Sequence, residues 1–145
     1  MSRGQGLGAD RGWPLDHVGV AVADLDAALA AWALLHFRPA MIEEVPADHI
    51  RVAFLPWDAG ALELMAPTGP AGAVGRFLGK RGPGLHHLAF RVENLAAVLK
   101  QLAAEGVRLV DEAPRPGSRG TRVAFLHPSA CEGVLTELVE APDGR

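Results

Sequence analysis

Several features that mark large classes of protein are scarce in this chain. Its 145 residues contain one cysteine, Cys131. That excludes an intrachain disulfide framework and points to a reducing, cytoplasmic compartment. No apolar stretch reaches the roughly 20 residues that cross a bilayer, so a membrane is not an expected partner. Residues 1–13 lack the apolar core of a signal peptide and read as a disordered leader. Neither sign of charge dominates, with 14 Lys and Arg against 17 Asp and Glu and a formal net charge of -3. Without a basic block, nucleic acid is excluded as an obvious partner, and any phosphate on a ligand has to be met by local Arg or Lys. What remains is a globular domain of ordinary composition.

What the chain does have is an internal repeat. Leu15-Asp16-His17-Val18-Gly19-Val20-Ala21-Val22 aligns with Leu85-His86-His87-Leu88-Ala89-Phe90-Arg91-Val92 at an offset of 70. Arg51-Val52-Ala53-Phe54-Leu55 recurs unchanged as Arg122-Val123-Ala124-Phe125-Leu126, and each copy is followed by a Glu-Leu element, at Glu63-Leu64 and Glu137-Leu138. Two ordered matches at nearly one offset indicate duplication. A half of about sixty residues buries too little surface to fold alone, so the halves are expected to pack as one domain over 14–142.

Local patterns give each half its elements. Residues 15–22 alternate as a strand, and Asp24 is placed to cap a helix over 25–35. In the second half Asn94 caps a helix through Ala104, with Gly106 where a C′ glycine belongs. Strands over 50–56 and 61–66 flank the turn Trp57-Asp58-Ala59-Gly60, and strands over 121–127 and 133–140 flank another at His127-Pro128. Each half therefore reads β-α-β-β-β, about 14–67 and 84–142, with a short helix near 73–79 between them. The fold class is α+β: two tandem modules whose curled mixed sheets form a cleft.

Strand parity then selects the residues that share the cleft. His17 falls opposite Val18, Val20 and Val22; His87 falls opposite Leu88 and Phe90; Glu63 and Glu137 each lie between apolar neighbours of the other face. With the apolar faces turned to the helices, two imidazoles and two carboxylates point inward. Such a set holds a divalent ion and leaves room to chelate a ligand with two adjacent oxygens. His86 is expected to pack on the helix side, and His36 and His49 to be loop or solvent residues. His127 is expected in a turn, with a role at the cleft rim open, and Cys131 is expected to be inert. Arg91 suits either a substrate carboxylate or an outer ion pair.

These residues make the chain resemble the methylmalonyl-CoA epimerases, a family of the glyoxalase or vicinal-oxygen-chelate class. The resemblance is carried by Leu15 to Val22, by Gly84-Leu85-His86-His87-Leu88-Ala89-Phe90, by Phe125-Leu126-His127-Pro128 and by Gly133-Val134-Leu135-Thr136-Glu137-Leu138. It covers about Leu15 to Pro142. It implies interconversion of the C2 epimers of methylmalonyl-CoA through a metal-stabilised enolate, an acyl-CoA substrate and a homodimer. It also implies a divalent ion held by His17, Glu63, His87 and Glu137: Co2+ first, with Mn2+, Ni2+, Zn2+ or Mg2+ as the other candidates. Glu137 is implied as one acid/base group. Val52 stands where some bacterial members carry a glutamate, so the second role passes to Glu63 or a water, and more remotely to Glu43 or Glu44. Neighbouring readings are a glyoxalase I-type lactoylglutathione lyase and a metal-free binding protein of the bleomycin-resistance type. An extradiol dioxygenase would use two histidines and one carboxylate around iron.

Overall fold

The computed structural model describes residues 12–142, so the leader expected over 1–13 lies outside the described residues apart from Gly12 and Trp13. In chain order the elements are β1 (Leu15–Ala21), α1 (Leu25–Ala33), β2 (Met41–Val45), β3 (Ile50–Trp57), β4 (Gly60–Pro67), α2 (Ala73–Arg81), β5 (Gly84–Arg91), α3 (Leu95–Ala104), β6 (Arg115–Pro116), β7 (Arg122–Leu126) and β8 (Thr136–Glu140). Each half is β-α-β-β-β, as the repeat requires. The second strand of each half has no apolar alternation to mark it: β2 reads Met-Ile-Glu-Glu-Val, and β6 is two residues long.

The chain divides into two compact units that do not follow the repeats. One comprises residues 17–88 with 117–119; the other comprises 89–116, 120–142 and the start of β1. In the first unit the strands run in the order β2-β3-β4-β1-β5. The β3–β4 hairpin closes through Asp58-Ala59, β1 lies parallel to β4, and β2 lies antiparallel to β3. Helix α1 packs Leu25, Leu29 and Trp32 on one face of this sheet, against Val20, Val22, Ala53, Leu55, Leu62 and Leu64. Burying each such leucine is worth about 1.5–3 kcal/mol. The opposite face is only partly a site wall. Ile50, Val52 and Met65 on it are covered by Val74, Phe77 and Leu78 of α2, because large apolar side chains stand on both faces of β3 and β4.

The second unit orders its strands β5-β8-β7-β6, with β5 entering at Ala89. Leu95 and Leu99 of α3 pack on Ala124, Leu126 and Leu138. Both expected caps form: Asp24 accepts from Ala27 N at 3.1 Å and Asn94 from Ala97 N at 3.2 Å, each worth about 1 kcal/mol. Gly106 has φ +88 at the end of α3, the left-handed position that favours glycine. Among the described residues no helix is long and apolar enough to cross a membrane.

Candidate metal centre

Three of the residues selected by parity meet within the first unit. His17 comes from β1, Glu63 from β4 and His87 from β5, and all three are buried, with 2%, 6% and 4% of their surface exposed. Parallel pairing of β1 with β4 sets Gly19 beside Glu63, which brings His17 and Glu63 to one side of the sheet. His17 Nε2 lies 3.1 Å from His87 Nε2 and 3.5 Å from Glu63 Oε1. One ligand atom from each residue falls within 4.8 Å of the others.

The donor set and its geometry fit a divalent first-row ion. Bonds of about 2.0–2.2 Å from imidazole and carboxylate place neighbouring ligand atoms about 3 Å apart, and the two contacts of His17 Nε2, at 3.1 and 3.5 Å, approach that separation. A buried carboxylate beside two imidazoles is costly without a compensating cation. The backbone supports the same arrangement. The His87 ring lies over Gly19 so closely that a Cβ at position 19 would overlap its Cε1 and Nδ1 atoms. Only glycine leaves space for this imidazole.

Two supporting contacts had no signal in the sequence pattern. Ser118 donates through Oγ to Glu63 Oε2 at 2.9 Å, which leaves Oε1 turned toward His17. The contact spans 55 residues of chain and comes from an irregular loop, where periodicity carries no information. The other is made by His86. It packs edge-on against Phe77 of α2, with ring centroids 4.8 Å apart, so a packing role is present. Its Nδ1 also lies 2.9 Å from His87 Nδ1, a contact that strand alternation excludes for Cβ directions but not for the ends of two imidazoles. If His87 presents a lone pair at Nε2, its proton resides on Nδ1 and is donated to His86. Substituting His86→Phe keeps an aromatic ring on Phe77 and removes this acceptor. Metal affinity, measured by competition with a chelating dye, is expected to fall about 10–100-fold. Unchanged affinity would mean that packing alone orients His87.

Glu137 belongs to the second unit and is buried on β8, with 6% of its surface exposed. Its setting repeats that of Glu63. Glu63 stands opposite Phe54 on β3, and Glu137 stands opposite Phe125 on β7, the equivalent phenylalanine of the repeated Arg-Val-Ala-Phe-Leu string. The remaining candidates are peripheral. Arg91 lies 3.6 Å from Asp16 in an outer ion pair, and His127 caps a short turn by accepting from Ser129 N. His36 and His49 are exposed at positive φ, and Cys131 is exposed.

Comparison with known proteins adds a second line of observation. The family model described as Glyoxalase/Bleomycin resistance protein/Dioxygenase superfamily matches residues 16–125. The mitochondrial methylmalonyl-CoA epimerase of Bos taurus is 34% identical over 129 residues, covering 88% of this chain and 74% of the bovine protein. The crystal structure of methylmalonyl-CoA epimerase from Mycobacterium tuberculosis is 44% identical with a TM-score of 0.84, covering 88% of this chain and 87% of that one. A methylmalonyl-CoA epimerase in complex with methylmalonyl-CoA and NH4+ is 37% identical with a TM-score of 0.88, covering 92% of this chain and 97% of that one.

Proposed function

Because the chain belongs to the Glyoxalase/Bleomycin resistance protein/Dioxygenase superfamily and to its methylmalonyl-CoA epimerases, we propose that it interconverts the two C2 epimers of methylmalonyl-CoA. The observation that carries this reading is the buried His17–Glu63–His87 cluster in a chain so similar to a protein solved with methylmalonyl-CoA. When bound, a divalent ion would supply Lewis acidity to the thioester carbonyl and the neighbouring carboxylate, lowering the pKa of the C2 proton between them. His17 and His87 would hold it as neutral imidazoles, and Glu63 would contribute negative charge. Glu137 is the fourth ligand in this proposal and also an acid/base group that takes and returns the C2 proton. Its equivalence to Glu63 within the duplicated hairpins supports that assignment. Co2+ is the first candidate for the ion and a homodimer the working assembly, both on the family resemblance. A cytoplasmic setting is proposed on the cysteine count, since the single Cys131 leaves no intrachain disulfide.

The test is deuterium exchange at C2 of each methylmalonyl-CoA epimer in D2O with Co2+ supplied, run beside the hemithioacetal of glutathione. Exchange with conversion of both epimers is expected, with no lactoylglutathione formed. Turnover of the hemithioacetal without exchange at C2 would replace this reading with a lyase.

A further inference from the structure

Resting on that reading, we infer that Arg119 binds the free carboxylate of the acyl group and so selects malonyl-type thioesters. Such a substrate adds a negative charge to a cluster that already contains Glu63. A fixed cation close to the cluster offsets that charge. The sequence offered Arg91 for this task, but Arg91 is held by Asp16 in an outer ion pair.

The position of Arg119 is different. Its guanidinium carbon lies 3.9 Å from the centroid of the Phe54 ring, and that ring lies 6.2 Å from the ring of His17. Phe54 is paired with Glu63 in the β3–β4 ladder, and directly paired residues project to the same side. The arginine therefore stands on the face of the metal cluster. Arg119, Phe54, His17 and Glu63 all belong to the first unit. A guanidinium can rest its face on an aromatic ring and still direct its N–H edge at a carboxylate. The Nε atom is buried, and a charge contact made away from water is less screened.

The backbone beneath this side chain is constrained as well. Arg119 has φ +59 and ψ +27, a conformation that costs a non-glycine residue energy and persists only where its surroundings impose it. Glu43 supplies that hold: its Oε1 accepts from the backbone N–H of Arg119 at 3.0 Å. Strand β2 makes this possible by keeping Glu43 half-buried and turning Ile42 outward, with 43% of the isoleucine surface exposed. Glu43 is thus a positioning residue. The residue before Arg119, Ser118, donates to Glu63 Oε2 at 2.9 Å. One short loop segment therefore sets a hydroxyl on the carboxylate of the cluster and a cation on the phenylalanine beside it.

The experiment compares the binding of malonyl-CoA and propionyl-CoA to the Co2+-loaded parent, Arg119→Met and Arg119→Lys by calorimetry. The two probes differ by the carboxylate alone. Methionine keeps an unbranched side chain for Phe54 and meets the same positive-φ backbone, so the comparison reports the guanidinium. Arg119→Met should weaken malonyl-CoA binding about 10- to 100-fold, as expected for a hydrogen-bonded charge contact, and leave propionyl-CoA binding unchanged. Arg119→Lys should recover part of the malonyl-CoA affinity, because it keeps the charge and loses the fork. It also tests the same point should the methionine variant fail to fold. Metal content should match the parental value, since neither substitution removes a ligand. Equal losses for the two thioesters with the metal retained, or no loss for either, would overturn the assignment and leave the epimerase reading standing. Carboxylate-selective binding through Arg119, in a parent that does not exchange C2 of methylmalonyl-CoA, would overturn the epimerase reading and leave this site.

Discussion

Replacing His87 with alanine is expected to cost the protein its divalent ion while leaving the fold in place. His87 is the hub of the cluster: Nε2 faces His17 Nε2 and Nδ1 faces His86 Nδ1. Without it, two of the three gathered donors remain. The loss should therefore exceed the about 10–100-fold expected for a residue that only orients a ligand. The helix-packed cores of both units contain neither this side chain nor its immediate partners, so far-UV circular dichroism should be unchanged. Metal content after dialysis is the direct readout, and parental stoichiometry in His87→Ala would rule out the centre. Gly19→Ala approaches the same point from the backbone side. A methyl at position 19 occupies the space of the His87 ring, and relieving such overpacking costs about 1–3 kcal/mol. If displacing the ring relieves it, metal affinity falls about 5- to 150-fold with every ligand still present.

The ease with which the cluster was read from the chain has a physical cause. His17, Glu63 and His87 lie on strands, where the residue on either side of a polar one projects to the other face and so fixes its direction. Duplication then supplied a check that no single strand offers, since Glu63 and Glu137 recur opposite Phe54 and Phe125. Parity was less informative where direction depends on more than Cβ. His86 and His87 point their Cβ atoms apart, yet their rings are long enough to meet at Nδ1. Ser118 and Arg119 lie in a loop whose place over β3 and β4 depends on contacts 55 and 76 residues distant. Glu43 was the least legible. Its strand places isoleucine outside and glutamate inside, so hydropathy assigns it to the wrong face, and only the pairing with Val52 reverses that reading. Helix α2 was visible as a helix, but its coverage of Ile50, Val52 and Met65 was not, because those residues look the same in a sheet buried on one face or two.

Glu137→Gln should reduce turnover far more than it reduces metal binding. A neutral amide still offers an oxygen to a divalent ion, but it cannot accept the C2 proton at neutral pH. The expected loss of epimerisation is about 10²–10⁴-fold, the usual worth of a positioned acid/base group. Burial of Glu137 at 6% exposure limits what water can do in its place. Glu63→Gln is the matched control: its strand, its phenylalanine partner and its burial are equivalent. Its Oε2 accepts from the Ser118 hydroxyl, and an amide oxygen can take over that hydrogen bond. If Glu63 is only a ligand, Glu63→Gln should keep most of the exchange once the ion is supplied at saturation. The decisive comparison is C2 exchange of each epimer separately for both variants. Glu137→Gln should block one epimer more severely than the other if epimerisation uses a separate group on each face of C2. Should Glu137→Gln exchange both epimers at the parental rate while Glu63→Gln is inactive, the acid/base role belongs to Glu63, and the symmetry between the two hairpins ends at metal binding.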